Sequence, residues 1–357
     1  MRGFSGSYAP EDVTFLLKPA EVALTDVAQK EALIQSGARH YSEMLSEERL
    51  PDARYFELYR AALARNGGRL RADVDTLADA IAARPATARS CTLISLARAG
   101  TPIGVLLRRA LVRRGIDTAH YSISIIRGRG IDRVALAHIA AARGTADAVF
   151  VDGWTGKGAI TAQLHASLGD GSTGFAPFLA VIADPAGCAS LAATAQDYLI
   201  PSGILGGIVS GLVSRSVLSD ALVGAGEFHA CRILAEHAAA DQSRAFIDAV
   251  EAARLPDGAP HPGWSAAQAP ADNAACTALV EGVMAEFAVT NLNRIKPGIA
   301  EATRAVLRRV PQAVFVADRT DPEVAHLLHL AAQVDVSVLE RELGNYRAVT
   351  LIAKAGD

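Results

Sequence analysis

The chain has 357 residues, half of them apolar, with a net charge of −3 and 5% aromatic residues. This length and apolar content predict one large or two ordinary domains around a buried core. The slightly acidic charge argues against a globally basic nucleic-acid binder, so any anion binding must be local. The four cysteines are widely spaced and form no CxxC pair, which argues against a zinc knuckle and against a disulfide scaffold.

The N-terminal stretch and the longest apolar stretch are not expected to act as a targeting signal or a membrane span. The N-terminal stretch lacks a hydrophobic signal core. The longest apolar stretch, residues 198–212, is too short for a bilayer and contains a proline and several glycines. We therefore expect a soluble, cytoplasmic protein.

The first part of the chain is predicted to be helical. Apolar residues recur with helical spacing over residues 22–36 and 55–65. A short polar cluster at residues 40–43 lies between them. We predict an N-terminal helical cap over residues 1–75.

The middle of the chain repeats a strand–turn–helix unit. Apolar runs predict buried strands, and each is followed by a segment with helical spacing. The predicted strands and helices are 91–97, 105–114, 120–126, 131–143, 148–151 and 159–168, with a further strand at 178–183 and a predicted turn at 100–104. Successive units of this kind predict an α/β fold with a doubly wound, mostly parallel sheet, here assigned to residues 76–257.

The last part of the chain is predicted to form a separate small unit. Residues 258–311 have the composition of a linker followed by a helix, which is placed at 276–289. A small C-terminal α/β domain is predicted for residues 312–357. Its elements are a strand at 313–317, a helix at 322–332 and a strand at 347–353.

The strongest motif follows the strand at 148–151. The strand ends in Asp152, and a glycine-rich turn then opens a helix. Backbone N–H groups at such a helix start bind phosphate, and the helix dipole favours the anion. Thr155 adds a hydroxyl, Lys157 adds a positive charge, and Gly156 and Gly158 allow close approach. Ligands of open α/β sheets bind at the carboxyl ends of strands, so Asp152 is placed to hold ribose hydroxyls.

A Walker A phosphate-binding loop is the main alternative interpretation of this turn, and the sequence does not match that motif. The first glycine of that motif would fall on Val151, and Gly158 stands where the motif needs serine or threonine. An ordinary glycine-rich turn between a strand and a helix stays open as an alternative.

Two other turns carry arginine. Arg98 follows the strand at 91–97 and precedes the small residues Ala99 and Gly100. Arg127 and Arg129 follow the strand at 120–126. Guanidinium groups at these positions suit the binding of pyrophosphate. Exposed surface arginines remain the alternative interpretation in both places.

Long motifs in this sequence resemble a bacterial phosphoribosyltransferase family of tellurium-resistance and stress-response operons, whose members are also labelled cysteine protease StiP. The resemblance rests on residues 6–18, 35–44, 95–111, 120–132 and 149–160. The turns around Arg98 and Asp152 look like the pyrophosphate loop and the phosphoribosyl pyrophosphate (PRPP) loop of type I, orotate-type phosphoribosyltransferases. The C-terminal end, residues 312–353, resembles a Pelota-type RNA-binding domain.

The resemblance implies a type I phosphoribosyltransferase-like fold and an enzyme of that class. Such an enzyme binds PRPP or a ribosyl-phosphate nucleotide with Mg²⁺ and transfers the ribosyl phosphate to or from a base-like acceptor. It would act in a stress-response or nucleoside-biosynthesis pathway, as a homodimer. The implied catalytic residues are Asp152, Arg98, Arg127 and Arg129, with Asp152 also on the metal. The implied substrate-binding residues are Ala99, Gly100, Gly153, Trp154, Thr155, Gly156, Lys157, Gly158, Ala159 and Asp184.

The sequence departs from the family pattern at the ribose end of the loop. Type I enzymes carry two consecutive acidic residues there, and the second is Gly153 in this chain, followed by the bulky Trp154. Either the substrate is a modified PRPP-like nucleotide, or another acid such as Asp184 substitutes.

Two other function classes stay open. A cysteine hydrolase or protease needs a thiolate activated by a neighbouring histidine, and Cys231 near His229 is the best candidate pair in the sequence. Cys91, in a predicted strand, is expected to be buried. A non-catalytic PRPP or nucleotide sensor that contacts RNA through its C-terminal domain is the third interpretation.

Overall fold

A computed structural model describes residues 3–256 and 263–354. The first five residues of the predicted linker, 258–262, lie outside this part. The strands are β1 (Thr14–Leu16), β2 (Lys18–Pro19), β3 (Ser90–Ala97), β4 (Asp117–Ile126), β5 (Gly130–Ile131), β6 (Ala148–Trp154), β7 (Leu179–Ala183), β8 (Leu191–Thr194), β9 (Ala230–Cys231), β10 (Ile295–Pro297), β11 (Pro311–Val316), β12 (Val338–Glu340) and β13 (Ala348–Ile352). The α-helices are α1 (Val27–Gln35), α2 (Ala53–Ala82), α3 (Gly100–Arg113), α4 (Arg133–Arg143), α5 (Ala159–Leu168), α6 (Ser243–Ala252), α7 (Ala269–Glu286), α8 (Ile299–Arg308) and α9 (Ala325–Gln333).

The larger sheet confirms the predicted mixed α/β class. Its order is β1-β4-β3-β6-β7-β8, all of these pairs are parallel, and β5 adds an antiparallel pair at the end of β4. Apolar side chains of α2 and α3, such as Leu77 and Leu107, are buried on one face of this sheet. Side chains of α4 and α5, such as Ile139 and Leu164, are buried on the other face. Both faces are covered, which explains why the strands read as nearly continuous apolar runs.

A smaller sheet forms in the C-terminal part. Its order is β10-β13-β11-β12, with β13 antiparallel to β10 and β11, and β11 parallel to β12. The strand β10 lies inside the segment predicted as linker and helix. The boundaries assigned to the domains stay predictions.

Several predicted boundaries were wrong, for reasons of tertiary pairing. The predicted turn at 100–104 is the start of α3, and Gly100 is required there because an added Cβ would lie 2.2 Å from the Val151 carbonyl oxygen. The strand predicted to end at Val151 runs on to Trp154, since β6 stays paired with β7. The helix predicted at 55–65 extends over the whole of α2, where it packs against α3 and α6.

No helix within residues 3–256 and 263–354 combines the length and the apolar character needed to cross a membrane.

Candidate functional site

The carboxyl ends of the central parallel strands open into a cavity of about 220 Å³. Arg98 and Ala99 reach it from the end of β3, Arg127 from the end of β4, and Asp152 from β6. Trp154 lines it from the end of β6, the glycine-rich loop supplies Thr155, Gly156, Lys157 and Gly158, and Ala159 lines it from the start of α5. The structure therefore brings together most of the residues that the sequence singled out. Gly100, Gly153, Arg129 and Asp184 are not among its lining residues.

The glycine-rich loop has the backbone shape that its sequence predicts. Gly158 precedes α5 with a φ of +77°, a conformation that glycine adopts without strain. A Cβ on Gly156 would lie 3.1 Å from Glu301 Cγ and 3.2 Å from the Pro297 carbonyl oxygen. Glycine at this position lets the loop approach the C-terminal part of the chain closely.

Lys157 is held by the C-terminal part of the chain. Its Nζ donates hydrogen bonds to the carbonyl oxygens of Leu292 and Ile295, the latter at 2.6 Å. Burial, and after it the charge of Arg127, lowers the pKa of Lys157 to about 8. The ammonium group thus joins the two parts of the chain, and its predicted contact with a phosphate stays a prediction.

Arg98 forms an ion pair inside the protein. Its Nη2 donates to the Glu48 carboxylate at 2.7 Å, its Nη1 donates to the Val213 carbonyl at 2.6 Å, and the arginine is 4% exposed. Burial alone would raise the pKa of Glu48, but Arg98 and Arg308 hold it at about 2. The guanidinium group thus links the end of β3, at the cavity, to Glu48 in the segment that precedes α2. Nothing in the sequence indicates this partner.

Thr155 and Asp184 bind each other. Thr155 Oγ1 donates to Asp184 Oδ1 at 2.6 Å, and Asp184 is fully buried. The same carboxylate accepts hydrogen bonds from the backbone of Cys188 and Ala189 and from the Trp264 indole. Asp184 is therefore occupied in shaping the turn after β7, which leaves little room for the ribose contact that the sequence suggested.

Asp152 is the carboxylate at the carboxyl end of β6. Burial raises its pKa to about 7 even though a hydrogen bond from the Gly153 backbone and the charge of Arg304 both act to lower the pKa. Glu301 lines the same cavity, but its pKa is lowered. Burial alone would raise this pKa, and the positive charges of Arg304 and Lys296 outweigh that effect and hold it at about 2. The two carboxylates thus differ in charge near neutral pH.

The sequence assigned the predicted Mg²⁺ site to Asp152 alone, and Glu301 is the second carboxylate that lines the same cavity. Magnesium in proteins is bound through one or two carboxylates together with phosphate oxygens, which Asp152 and Glu301 match in type. In the described ranges no cluster of three or more His, Cys, Asp or Glu could hold a metal ion by itself. Magnesium binding stays a prediction.

The two arginines after β4 have separate neighbours. Arg127 Nη1 donates to Asn293 Oδ1 at 3.3 Å, and its backbone N–H donates to the Tyr41 hydroxyl at 2.8 Å. Arg129 is paired with Glu43 at 2.7 Å and lies beside a second, larger cavity. A role for either arginine in binding pyrophosphate stays a prediction.

Sequence reasoning missed the C-terminal side of the site. Lys296, Glu301 and Arg304 line the cavity from β10 and α8, far along the chain from the glycine-rich loop. The signal was present in part, because the charges at 301, 304 and 308 are three and four residues apart and so share a helix face. The cavity that this face would line depends on how α8 packs, which the sequence does not reveal.

The cysteines do not form the pair that the sequence suggested. Cys231 is fully buried in β9, and burial raises its pKa to about 12. The ring of His229 is hydrogen-bonded to Ser124 Oγ at 2.8 Å instead. Cys91 is fully buried, as expected. Within the described residues no hydrogen bond joins a cysteine thiol to a histidine ring.

The two remaining thiols lie near the glycine-rich loop. Cys276 is buried in α7, accepts a hydrogen bond from the Tyr346 hydroxyl at 2.9 Å and lies 3.8 Å from the Gly156 carbonyl oxygen. Cys188 follows β7 and is partly exposed, with its Sγ 3.4 Å from Thr161 Oγ1.

Comparison with known proteins gives two family matches. Residues 6–251 match the model of a family described as "Tellurite-like stress resistance cysteine protease StiP". Residues 274–354 match the model of a PELOTA RNA binding domain. The chain is 44% identical to a protein of Acinetobacter baylyi named "Cysteine protease StiP", over 99% of this chain and 96% of that protein. No solved structure matches the chain.

These matches correct the sequence-based function. The phosphoribosyltransferase activity, with PRPP as substrate, is wrong, because the family and the full-length relative are both named as a cysteine protease. The stress-resistance context and the Pelota-type C-terminal part are confirmed as resemblances. A type I phosphoribosyltransferase fold, a homodimer and a cytoplasmic location stay predictions.

Proposed function

We propose that this chain hydrolyses peptide bonds with a cysteine thiol as the nucleophile. The chain belongs to the family of the tellurite-like stress resistance cysteine protease StiP, and this membership is the basis of the proposal. The observation that carries this proposal is the 44% identity with the Acinetobacter baylyi protein, which extends over 99% of this chain. In such a reaction a thiolate attacks the peptide carbonyl carbon, the amine leaves after taking up a proton from solvent, and water hydrolyses the resulting thioester to the acid and the free thiol.

Cys188 is the thiol that the geometry favours for this role. It is partly exposed, whereas Cys91, Cys231 and Cys276 are buried. Its Sγ lies 3.5 Å from the position of a Cβ on Gly158, the residue that immediately precedes α5. A helix N-terminus favours a thiolate, although burial has the larger effect on the pKa of this thiol.

The protonation of Cys188 predicts how the rate depends on pH. Burial raises its pKa to about 12, even though the hydrogen bond with Thr161 acts to lower the pKa. The thiol is therefore protonated at neutral pH, and the thiolate fraction grows as the pH rises. Cleavage that depends on this group should accelerate from pH 7 to pH 9.

The test is peptide cleavage by the full chain and by single cysteine variants. We expect Cys188→Ser to abolish cleavage of an unstructured protein substrate, and Cys231→Ser to retain it. Far-ultraviolet circular dichroism of both variants checks that each one folds. Cleavage that persists in Cys188→Ser would exclude this nucleophile, and the absence of cleavage by the unmodified chain would overturn the proteolytic function.

A second function, contact with RNA, is supported by a separate observation. Residues 274–354 match the Pelota RNA-binding domain, and this part of the chain brings Lys296, Arg304 and Arg308 to the cavity side of the molecule. Filter binding of single-stranded RNA to the whole chain, repeated across a salt series, tests it. A protein–RNA contact through phosphates weakens as salt rises, and no retention at low salt would exclude the contact.

A further inference from the structure

A second cavity, of about 780 Å³, lies beside the first and is strongly basic. We call it the basic cleft; six of its cationic lining residues are Lys30, Arg127, Arg215, Lys296, Arg304 and Arg308. In all, ten lysine and arginine side chains line it, against the two carboxylates of Glu43 and Glu301. Glu31, which pairs with Arg309, makes three carboxylates, so the eight arginines alone leave an excess of five positive charges before either lysine is counted. The whole chain carries −3, so this charge is concentrated locally.

The cations of the basic cleft come from both matched families. Residues 30–43, 127–129 and 215 belong to the part that matches StiP. Residues 291–309 belong to the part that matches the Pelota domain. The cleft therefore exists only where the two parts meet, and neither family description assigns it a ligand.

The cations repel one another and are incompletely neutralised. Burial lowers the pKa of Lys30 to about 7, with repulsion from Arg215 and Arg308 as the next causes. Burial and the neighbouring cations also lower the pKa of Lys296 well below its usual value. Among the described residues, no carboxylate lies within ion-pair distance of Lys30 or Lys296. A bound polyanion would relieve this repulsion.

One donor in the basic cleft has no acceptor. Arg215 donates to the Met44 carbonyl oxygen through Nη2, but its buried Nη1 has no hydrogen-bond partner in the described part of the chain. A buried N–H without an acceptor is costly, so the charge of this guanidinium group is poorly compensated by the protein itself.

Aromatic rings lie beside the cations. His40 and Tyr41 line the cleft with ring centroids 4.5 Å apart. The guanidinium groups of Arg127 and Arg215 lie 5.5 Å and 5.7 Å from the centre of the Tyr41 ring. Cations that bind a backbone, together with rings on which bases stack, are the combination used to bind single-stranded nucleic acid.

The two cavities share several charged lining residues. Arg127, Lys296, Glu301 and Arg304 line both the basic cleft and the smaller cavity at the sheet. A single compact phosphate would need cations that converge on one point, whereas these are distributed along connected cavities. We propose that the basic cleft binds a short stretch of single-stranded RNA, with backbone phosphates on its arginines and lysines and a base against His40. This proposal rests on the RNA contact proposed above and assigns its site.

The test is fluorescence anisotropy with the full chain and a labelled single-stranded RNA of about 12 nucleotides, within the range of known single-strand sites. The variant is the double substitution Arg127→Gln with Lys296→Gln, two cations without an ion-pair partner among the described residues. Removing these two charges relieves their repulsion with the other cations of the cleft, so the variant should be at least as stable as the unmodified chain. A comparison of the two thermal unfolding midpoints checks this. The matched control is Arg319→Gln, an exposed arginine of the Pelota-matched part outside the cleft.

We expect the double variant to bind at least about tenfold more weakly near 0.1 M salt, with a salt slope smaller by about one for each cation removed. The Arg319→Gln control should bind as the unmodified chain does. Equal binding by variant and control would overturn the site while leaving an RNA contact elsewhere in place. No RNA binding by the unmodified chain would overturn both.

Competition separates RNA from a small phosphate ligand. Pyrophosphate or a nucleoside diphosphate that binds the cleft, while the RNA does not, would overturn the proposal in favour of a compact ligand. Duplex DNA that binds as tightly as the single strand would contradict recognition of an unpaired strand. Peptide cleavage, measured in the same double variant, reports on the proteolytic proposal separately from either result.

Discussion

Replacing Glu48 by glutamine tests whether Arg98 is a structural residue at the floor of the cavity. Arg98 is 4% exposed and its side chain forms an ion pair with Glu48, whose side chain is 17% exposed. In Glu48→Gln the guanidinium charge stays buried but loses its carboxylate. We therefore expect a large loss of stability.

The magnitude follows from the pKa of Glu48. The folded protein holds this pKa at about 2, against an ordinary value of 4.5. Each pKa unit corresponds to 1.36 kcal/mol, so the ionised carboxylate contributes about 3 kcal/mol to the free energy of unfolding near neutral pH. Removing one partner of a buried ion pair typically costs about 3–5 kcal/mol, which agrees with this value.

The dependence on pH has a definite sign. The pKa of Glu48 is lower in the folded protein than in the unfolded chain, so its contribution is fully present above pH 4.5. The contribution is lost as the pH falls from 4.5 towards 2. The difference in stability between the unmodified chain and Glu48→Gln should therefore be largest at neutral pH and should shrink below pH 4.5.

The assay is urea unfolding followed by circular dichroism at pH 7 and at pH 3.5, with Glu47→Gln as the matched control. Glu47 is the exposed neighbour of Glu48, and its substitution should leave the midpoint unchanged. A loss below about 1 kcal/mol at pH 7 is what an exposed ion pair would give, and it would refute the structural role assigned to Arg98. A loss that is equal at both pH values would refute the electrostatic reasoning.

Two further predictions concern the cavity at the sheet. Burial raises the pKa of Asp152 from an ordinary 3.8 to about 7, so the folded protein loses stability as the pH rises from about 4 to 7. Each pKa unit corresponds to 1.36 kcal/mol, so Asp152→Asn, which cannot ionise, should raise the free energy of unfolding at pH 8 by up to about 4 kcal/mol, and an unchanged urea midpoint at pH 8 would contradict this. Lys157→Met removes the hydrogen bonds to the Leu292 and Ile295 carbonyl oxygens, each of which contributes about 1.5–3 kcal/mol to stability. Amide hydrogen exchange around residues 292–295 should therefore be faster in this variant. The control Lys354→Met changes an exposed lysine, and equal exchange in the two variants would show that Lys157 does not join the two parts of the chain.

The order of the strands and helices in the middle of the chain could be predicted from the sequence. Helix α5 begins and ends where its periodicity and flanking glycines indicate, at Ala159 and Leu168. These features are local, because apolar spacing and turn residues act within a few residues of each other. The same local reasoning placed Arg98, Asp152 and the glycine-rich loop at the carboxyl ends of neighbouring parallel strands, where the structure brings them together.

The sequence could not supply the partners of these residues or the chemistry of the site. Glu48 and Arg98 form an ion pair only because the tertiary structure brings the segment before α2 to the end of β3. Cys231 and His229 do not pair with each other, and the ring of His229 is hydrogen-bonded to Ser124 instead. Proximity in sequence suggested the second pair and gave no sign of the first.

The basic cleft shows the same division on a larger scale. The sequence established that the chain is slightly acidic and that any anion site must be local. Only the tertiary structure brings Lys30, Arg127 and Arg308 to one cavity, from α1, from the end of β4 and from α8. Charges that are far apart along the chain become one electrostatic site when packing of apolar faces holds their elements together, and the pattern of charges alone does not encode that packing.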